Sequence, residues 1–239
     1  MKLSVVIPLY NEETKVRQCL ETLDGYLKNV CDDYEIVAVN DGSADKTPEI
    51  ISELKKSMEK LTVVSYDRNR GKGYAVRQGV LASSGDGVAY TDCDLAYGKE
   101  AAAEIDAFRR QNSCDVAIGS RNLNKDSYAG YTFLRKVLSK GYIKLIRLLS
   151  GFSHSDSQCG LKAFDGEVAR KVFSECTVDG FAFDLEALLE CEKYGYSICE
   201  MPVVIKHNAN SESKVDPIKD SLKMLKDVRR IRKNEKKQK

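Results

Sequence analysis

The chain has 239 residues, 42% hydrophobic and 31% charged, with a net charge of +2. That size and balance fit a soluble protein of one large domain or two small ones, and the near-neutral charge argues against a general nucleic-acid binder. No run reaches the ~18–20 apolar residues of a membrane span, and Met1-Lys2 leads straight into a strand-like segment rather than a signal peptide.

Apolar, β-branched residues over 3–9, ended by Pro8, predict a first strand. Val16, Leu20, Leu23 and Leu27 recur at helical spacing and predict a helix over 12–27. Strands follow over 34–40 and 61–66, with a helix between them over 47–58 that has Pro48 near its first turn. A helix over 73–82, a strand over 87–91, a helix over 101–108 and a strand over 115–119 continue the alternation. Such alternation implies βαβ units and an α/β fold with a mainly parallel sheet. Sheets of this kind bind ligands beyond the carboxyl ends of their strands. The polar motifs fall there: Asn11-Glu12, Asn40-Asp41-Gly42-Ser43, Asp92-Cys93-Asp94 and Ser120-Arg121.

Two stretches are basic and amphipathic. One covers 133–149; the other carries Ile218, Leu222, Leu225, Val228 and Ile231 within a heavily basic C-terminal region. Each reads as a core-packed helix with a solvated face, and the pair together as surfaces for a membrane interface. There are eight cysteines, none in a Cys-x-x-Cys pair, and two histidines. A zinc cage is therefore not expected, and the cysteines read as reduced cytosolic thiols rather than a disulfide framework.

Asp92 and Asp94, two residues apart on a regular strand, would point the same way. Close carboxylates repel and raise each other's pKa unless a cation joins them, and hard oxygens suit Mg²⁺ or Mn²⁺ shared with substrate phosphates. Asp41 offers an acceptor for a base's N–H groups, Gly42 a tight turn and Ser43 a helix cap. Arg68-Asn69-Arg70-Gly71-Lys72-Gly73 is a basic loop opening a helix, where backbone N–H groups and cationic side chains can hold phosphate.

Taken in order, Ser4-Val5-Val6-Ile7-Pro8-Leu9-Tyr10-Asn11-Glu12, Asn40-Asp41-Gly42-Ser43-Ala44-Asp45, Arg70-Gly71-Lys72-Gly73, Asp92-Cys93-Asp94 and Gly119-Ser120-Arg121 resemble the family 2 glycosyltransferases of GT-A fold. Asp156-Ser157-Gln158-Cys159-Gly160-Leu161-Lys162-Ala163-Phe164, Gly180-Phe181-Ala182-Phe183-Asp184 and Glu200-Met201-Pro202-Val203 resemble the dolichyl-phosphate glucose and mannose synthases within it. The resemblance implies a single GT-A domain over 1–215, with a nucleotide-sugar half at 1–121 and an acceptor half at 122–215, then an amphipathic basic tail at 216–239. It implies inverting transfer of a hexose, from a UDP-glucose-like donor in preference to GDP-mannose, to a polyprenyl phosphate at the cytoplasmic face of a membrane. The enzyme is then cytoplasmic or peripheral on that face. Pro8, Tyr10, Glu12, Asp41, Lys72, Asp92, Cys93 and Asp94 fall at nucleotide-sugar positions. Asp92 and Asp94 are the metal carboxylates, with His207 or water replacing a Gln that the mannose synthases carry where this chain has Ala96. Arg121 falls at a basic position near the donor diphosphate or the acceptor phosphate; with Lys162 or Lys214 it is expected on the acceptor phosphate, and Asp156 near the donor sugar, while Asp184 reads as a helix cap. Asn208 and Ser211 depart from the Arg and Gly of the family pattern, whereas Ser213-Lys214 is kept. The other readings are a family 2 enzyme acting on a soluble or cell-surface glycan, a non-catalytic nucleotide-sugar-binding protein, and a nucleotidyltransferase. The last lacks its Gly-rich basic loop after the first strand, where Tyr10-Asn11-Glu12-Glu13 stands.

Overall fold

The computed structural model describes residues 1–124, 151–152, 154–206 and 226–231. Its elements run β1 (Lys2–Leu9), α1 (Val16–Val30), β2 (Asp33–Asp41), α2 (Thr47–Ser57), β3 (Leu61–Tyr66), α3 (Lys72–Ala82), β4 (Gly87–Tyr90), α4 (Ala101–Gln111), β5 (Val116–Ser120), β6 (Lys162–Asp165), α5 (Gly166–Glu175), α6 (Phe183–Lys193) and β7 (Ile198–Pro202). The strands form one seven-stranded sheet of order β3-β2-β1-β4-β6-β5-β7. Every described pairing is parallel except those of β6, which runs antiparallel to both neighbours. The expected α/β architecture with a mainly parallel sheet is therefore present. The four-residue β6 begins with a lysine and was too short and too polar to stand out from the sequence.

Alternation in the central strands places one core on each face. Val5, Ile7 and Leu9 of β1 and Ile36 and Ala38 of β2 pack with α1, α2 and α4. Val6, Val37 and Val39 face the other way, toward α3, α5 and α6. Val228 and Ile231, in a helical turn at 226–231, are buried in that second core. The apolar stripe of the tail thus ends against protein, with Lys226, Arg229 and Arg230 on its exposed side. The stretch 133–149 lies outside the described residues, as does most of the tail.

Helix α1 starts at Val16, the first residue of its apolar stripe, rather than at the expected residue 12. Asn11 adopts φ 52°, and the amides of Glu12 and Glu13 donate to Thr47 Oγ1 and Asp45, which pulls these residues out of the helix. One cysteine reading is corrected: Cys114 and Cys199 form a disulfide, with Cα atoms 6.2 Å apart. Parallel pairing of Ala117 with Cys199 across β5 and β7 brings them within bridging distance. The other six cysteines are free thiols.

Candidate functional site

The carboxyl ends of β1 and β2 are laced together. Asn11 N donates to Ser43 Oγ at 3.0 Å, and Ala44 N donates back to Asn11 Oδ1 at 2.8 Å. Ser43 therefore joins two loops rather than capping α2; Thr47 N is satisfied by Asp45 Oδ1 instead. Gly42 has φ 62°, and a Cβ there would lie 2.4 Å from the Arg68 carbonyl carbon. Both the backbone conformation and the close approach require glycine. Pro8 pairs in register with Val39, Tyr10 stands exposed just beyond the strand, and the Glu12 carbonyl accepts from Lys15 N and Val16 N.

Asp41 is buried. Its Oδ1 accepts from Arg70 N at 2.7 Å, and its Oδ2 accepts from Gly71 N and Asn69 Nδ2, both at 2.9 Å. A carboxylate has about four acceptor positions, so Asp41 is chiefly the clamp of the 68–71 loop, with room for about one more donor. Tyr66, whose hydroxyl is buried, has its pKa raised by burial and then by the neighbouring Asp41 carboxylate.

The basic loop works differently from its expected amide cradle. Gly73 N and Tyr74 N both donate to the carbonyl of Asp179, at 2.9 and 3.2 Å, so the first turn of α3 is already filled by the 176–182 segment. The Asp179 carboxylate pairs with Arg77 at 2.7 Å, and Glu186 holds Thr177 N and Val178 N at 2.9 and 2.8 Å. The loop's cations are its side chains: Arg68 and Arg70 are exposed, and the Lys72 ammonium lies 2.5 Å from Asp92 Oδ1.

β4 ends at Tyr90, so Asp92 and Asp94 sit in the turn beyond it rather than on a regular strand. Leu95 N closes that turn on Asp92 O at 3.0 Å, and Leu95 has φ 46°. Asp94 Oδ1 accepts from Ala96 N. Burial and the neighbouring Asp92 charge raise the Asp94 pKa. Burial acts to lower the Lys72 pKa, but Asp92, Asp184 and Asp94 outweigh it and raise it. Gly160 closes in from the other half: a Cβ there would lie 2.5 Å from Asp92 Oδ2 and 3.5 Å from Lys72 Nζ. Cys93, expected at the nucleotide sugar, instead turns into the core. A hydrogen bond with Cys19, and then burial, raise its thiol pKa.

Arg121 is gripped by Asp156 through Nε–Oδ2 at 2.7 Å and Nη2–Oδ1 at 3.0 Å, with its own N–H on Oδ2 at 3.2 Å. Asp156 has no exposed surface. Burial would raise its pKa, but Arg121 prevails and holds it below the ordinary value. It is therefore the holder of Arg121, not an acid open to a sugar. Lys162, expected at the acceptor phosphate, is corrected too: it is fully buried, with Nζ 2.6 Å from both Asp184 Oδ1 and the Cys159 carbonyl. The Tyr90 hydroxyl donates to the same Asp184 oxygen. Asp184 is thus the partner of that lysine, and its side chain caps no helix.

Sequence reading missed Tyr97. Its hydroxyl accepts from Cys159 Sγ at 3.3 Å. Burial chiefly raises its pKa, while the charges of both Arg121 and Asp92 act on it. In sequence it is marked only by its nearness to the paired acids. Lys214 and His207 lie outside the described residues.

Among the described residues no three His, Cys, Asp or Glu side chains converge as a metal cage. The donor set nevertheless suits a divalent cation shared with a substrate. Two hard carboxylates lie close enough for one to raise the other's pKa, and an added cation relieves that repulsion. No described helix is long and apolar enough to cross a membrane.

The family model for glycosyl transferase family 2 matches residues 4–173. The chain is 32% identical to a dolichyl-phosphate β-glucosyltransferase of Dictyostelium discoideum, over 96% of this chain and 73% of that one. It is 31% identical to the human dolichyl-phosphate β-glucosyltransferase, over 97% and 75%. It is also 32% identical to the glycosyltransferase AglD of Haloferax volcanii, over 94% of this chain and 36% of that protein. Glucosyl-3-phosphoglycerate synthase from Mycobacterium tuberculosis in complex with UDP shares the fold, with TM-score 0.70 at 17% identity, over 96% and 79% of the two chains. With its motifs in order along one sheet and a family match over most of its length, the chain is a glycosyltransferase and belongs to glycosyl transferase family 2.

Proposed function

We propose that this enzyme transfers glucose from a UDP-sugar to a polyprenyl phosphate, with inversion at the anomeric carbon. The observation that carries the reading is the Arg121–Asp156 clamp, a preorganised cation just past the carboxyl end of β5, on the sheet edge that the Lys72–Asp92 pair follows at β4. Two cationic centres suit a reaction that joins two phosphorylated reactants. The dolichyl-phosphate β-glucosyltransferase relatives support this choice of acceptor.

An acceptor phosphate oxygen attacks the anomeric carbon, and the bond to the donor diphosphate breaks with its electron pair leaving on the nucleotide. A phosphate monoester has its second pKa near ~6, so at neutral pH the nucleophile needs positioning more than deprotonation. Arg121 holds that phosphate, and Asp156 fixes the guanidinium in the orientation for a two-pronged contact. Lys72 approaches the donor diphosphate from the β4 side. Asp92 and Asp94 would hold Mg²⁺ or Mn²⁺, which stabilises the charge developing on the departing diphosphate. The lipid acceptor brings the reaction to a membrane surface; the exposed Lys226, Arg229 and Arg230 suit the anionic head groups of such a surface.

Incubation with labelled UDP-glucose or GDP-mannose, with and without polyprenyl phosphate, followed by solvent extraction, tests the reading. Label is expected in the lipid phase only when UDP-glucose and polyprenyl phosphate are both present. Label that stays aqueous with the lipid acceptor present would sink it and favour a glycan acceptor.

A further inference from the structure

Glu200 lies on β7, one strand beyond the site, and none of the chemistry above uses it. Its Oε1 accepts both the backbone N–H and the hydroxyl of Ser155, at 2.8 and 2.5 Å. An ionised carboxylate only accepts, so the Ser155 hydroxyl proton is committed to Glu200. The Ser120 hydroxyl, 2.5 Å from Ser155 Oγ, must then donate to Ser155. Two further bonds tighten the same seam. Asn122 Nδ2 donates to Ser155 O at 2.7 Å, and Val203 N, from beyond β7, donates to Ser120 O at 3.1 Å.

Ser120 immediately precedes Arg121, and Ser155 immediately precedes Asp156. The chain Ser120–Ser155–Glu200 therefore fixes the two backbones beside each member of the ion pair. We infer that Glu200 is a positioning residue, which acts through Ser155 and Ser120 to hold Arg121 in the orientation that receives the acceptor phosphate. The assignment rests on the acceptor reading of Arg121 given above. Glu200 touches neither reactant; its part is to keep the two loops in register.

The test uses the full chain with Glu200→Ala and Glu200→Gln. A glutamine amide oxygen can accept both Ser155 bonds, so it should rescue what alanine loses. The first readout is independent of turnover: the rate at which phenylglyoxal, an arginine-selective dicarbonyl, modifies Arg121, followed by peptide mass spectrometry. Glu200→Ala should raise that rate about tenfold, the scale of losing one hydrogen bond to a charged group, while Glu200→Gln stays within about twofold. The second readout is kinetic. KM for polyprenyl phosphate should rise about tenfold in Glu200→Ala, with KM for the donor unmoved, and Arg121→Ala/Glu200→Ala should match Arg121→Ala alone. Should Glu200→Ala fail to fold, Ser155→Ala, which keeps the backbone bond, should move Arg121 reactivity the same way by a smaller factor. An unchanged Arg121 rate, a glutamine variant as impaired as alanine, or additive effects in the double variant would each overturn the role. A faster Arg121 reaction with acceptor KM unmoved would uphold the positioning role and sink the acceptor reading instead.

Discussion

The loops that follow β1 and β2 are tied to each other by amide and hydroxyl hydrogen bonds, whereas the loops around β5 and β6 are tied by the ion pairs Arg121–Asp156 and Lys162–Asp184. The first kind of tie leaves its backbone shape legible in glycines and small polar residues. The second joins positions far apart in the chain and puts whole charges in the interior. Breaking a buried pair from one side strands the other charge, which costs far more than the intact pair contributes. The loops after β1 and β2 should therefore fail gradually under substitution and those around β5 and β6 abruptly.

Lys162→Met is the harshest way to press that contrast. It leaves Asp184 buried and unpaired and should lower unfolding stability by about 3–5 kcal/mol in denaturant titrations; a loss under 1 kcal/mol would erase the distinction. Asp94→Ala should cut turnover about 10²–10³-fold, the scale of removing one group that stabilises charge in the transition state, while leaving stability the same or higher, because Asp92 no longer has a like-charged neighbour. Steady-state rates and melting curves on the same preparation separate the two effects. Gly42→Ala places a side chain at φ 62° against the Arg68 backbone and should cost about 1–3 kcal/mol, the gentler failure expected of the loops after β1 and β2.

The smallest effect is on pH. The folded pKa of Asp156 lies below its ordinary value of 3.8. Its contribution to stability is therefore fully present above that value and lost as pH falls through the folded pKa. Asp156→Asn should flatten the acid limb of the stability curve below about pH 4. An acid limb as steep as that of the parent would show that Arg121 gains nothing from the charge.

The placement of Asp41, Gly42, Lys72 and the paired acids at the ends of strands and the start of a helix was legible because strand-to-helix turns concentrate polar residues and glycine locally. The charge pairs were not. Arg121 and Asp156 stand 35 positions apart, and Lys162 and Asp184 stand 22 apart; nothing local in either partner names the other. Lys162 was expected at the acceptor phosphate, a place that its burial denies it. Only the antiparallel insertion of β6 between β4 and β5 reveals that this lysine is interior. Asp92 and Asp94 were found for a partly mistaken reason, since the strand ends before them and a turn, not strand alternation, sets their directions.

The bond from the start of α3 to the Asp179 carbonyl bears on how such enzymes can be recombined. A chimera cut near residue 121, joining the first part of one enzyme to the remainder of another, keeps α3 but replaces the segment that satisfies its first amides. Unless the incoming part offers a carbonyl at the same place, Lys72 loses its footing through a change made entirely beyond residue 121. The natural seam for exchange is therefore not between the halves of the sheet but around the 176–182 segment, which should travel with α3.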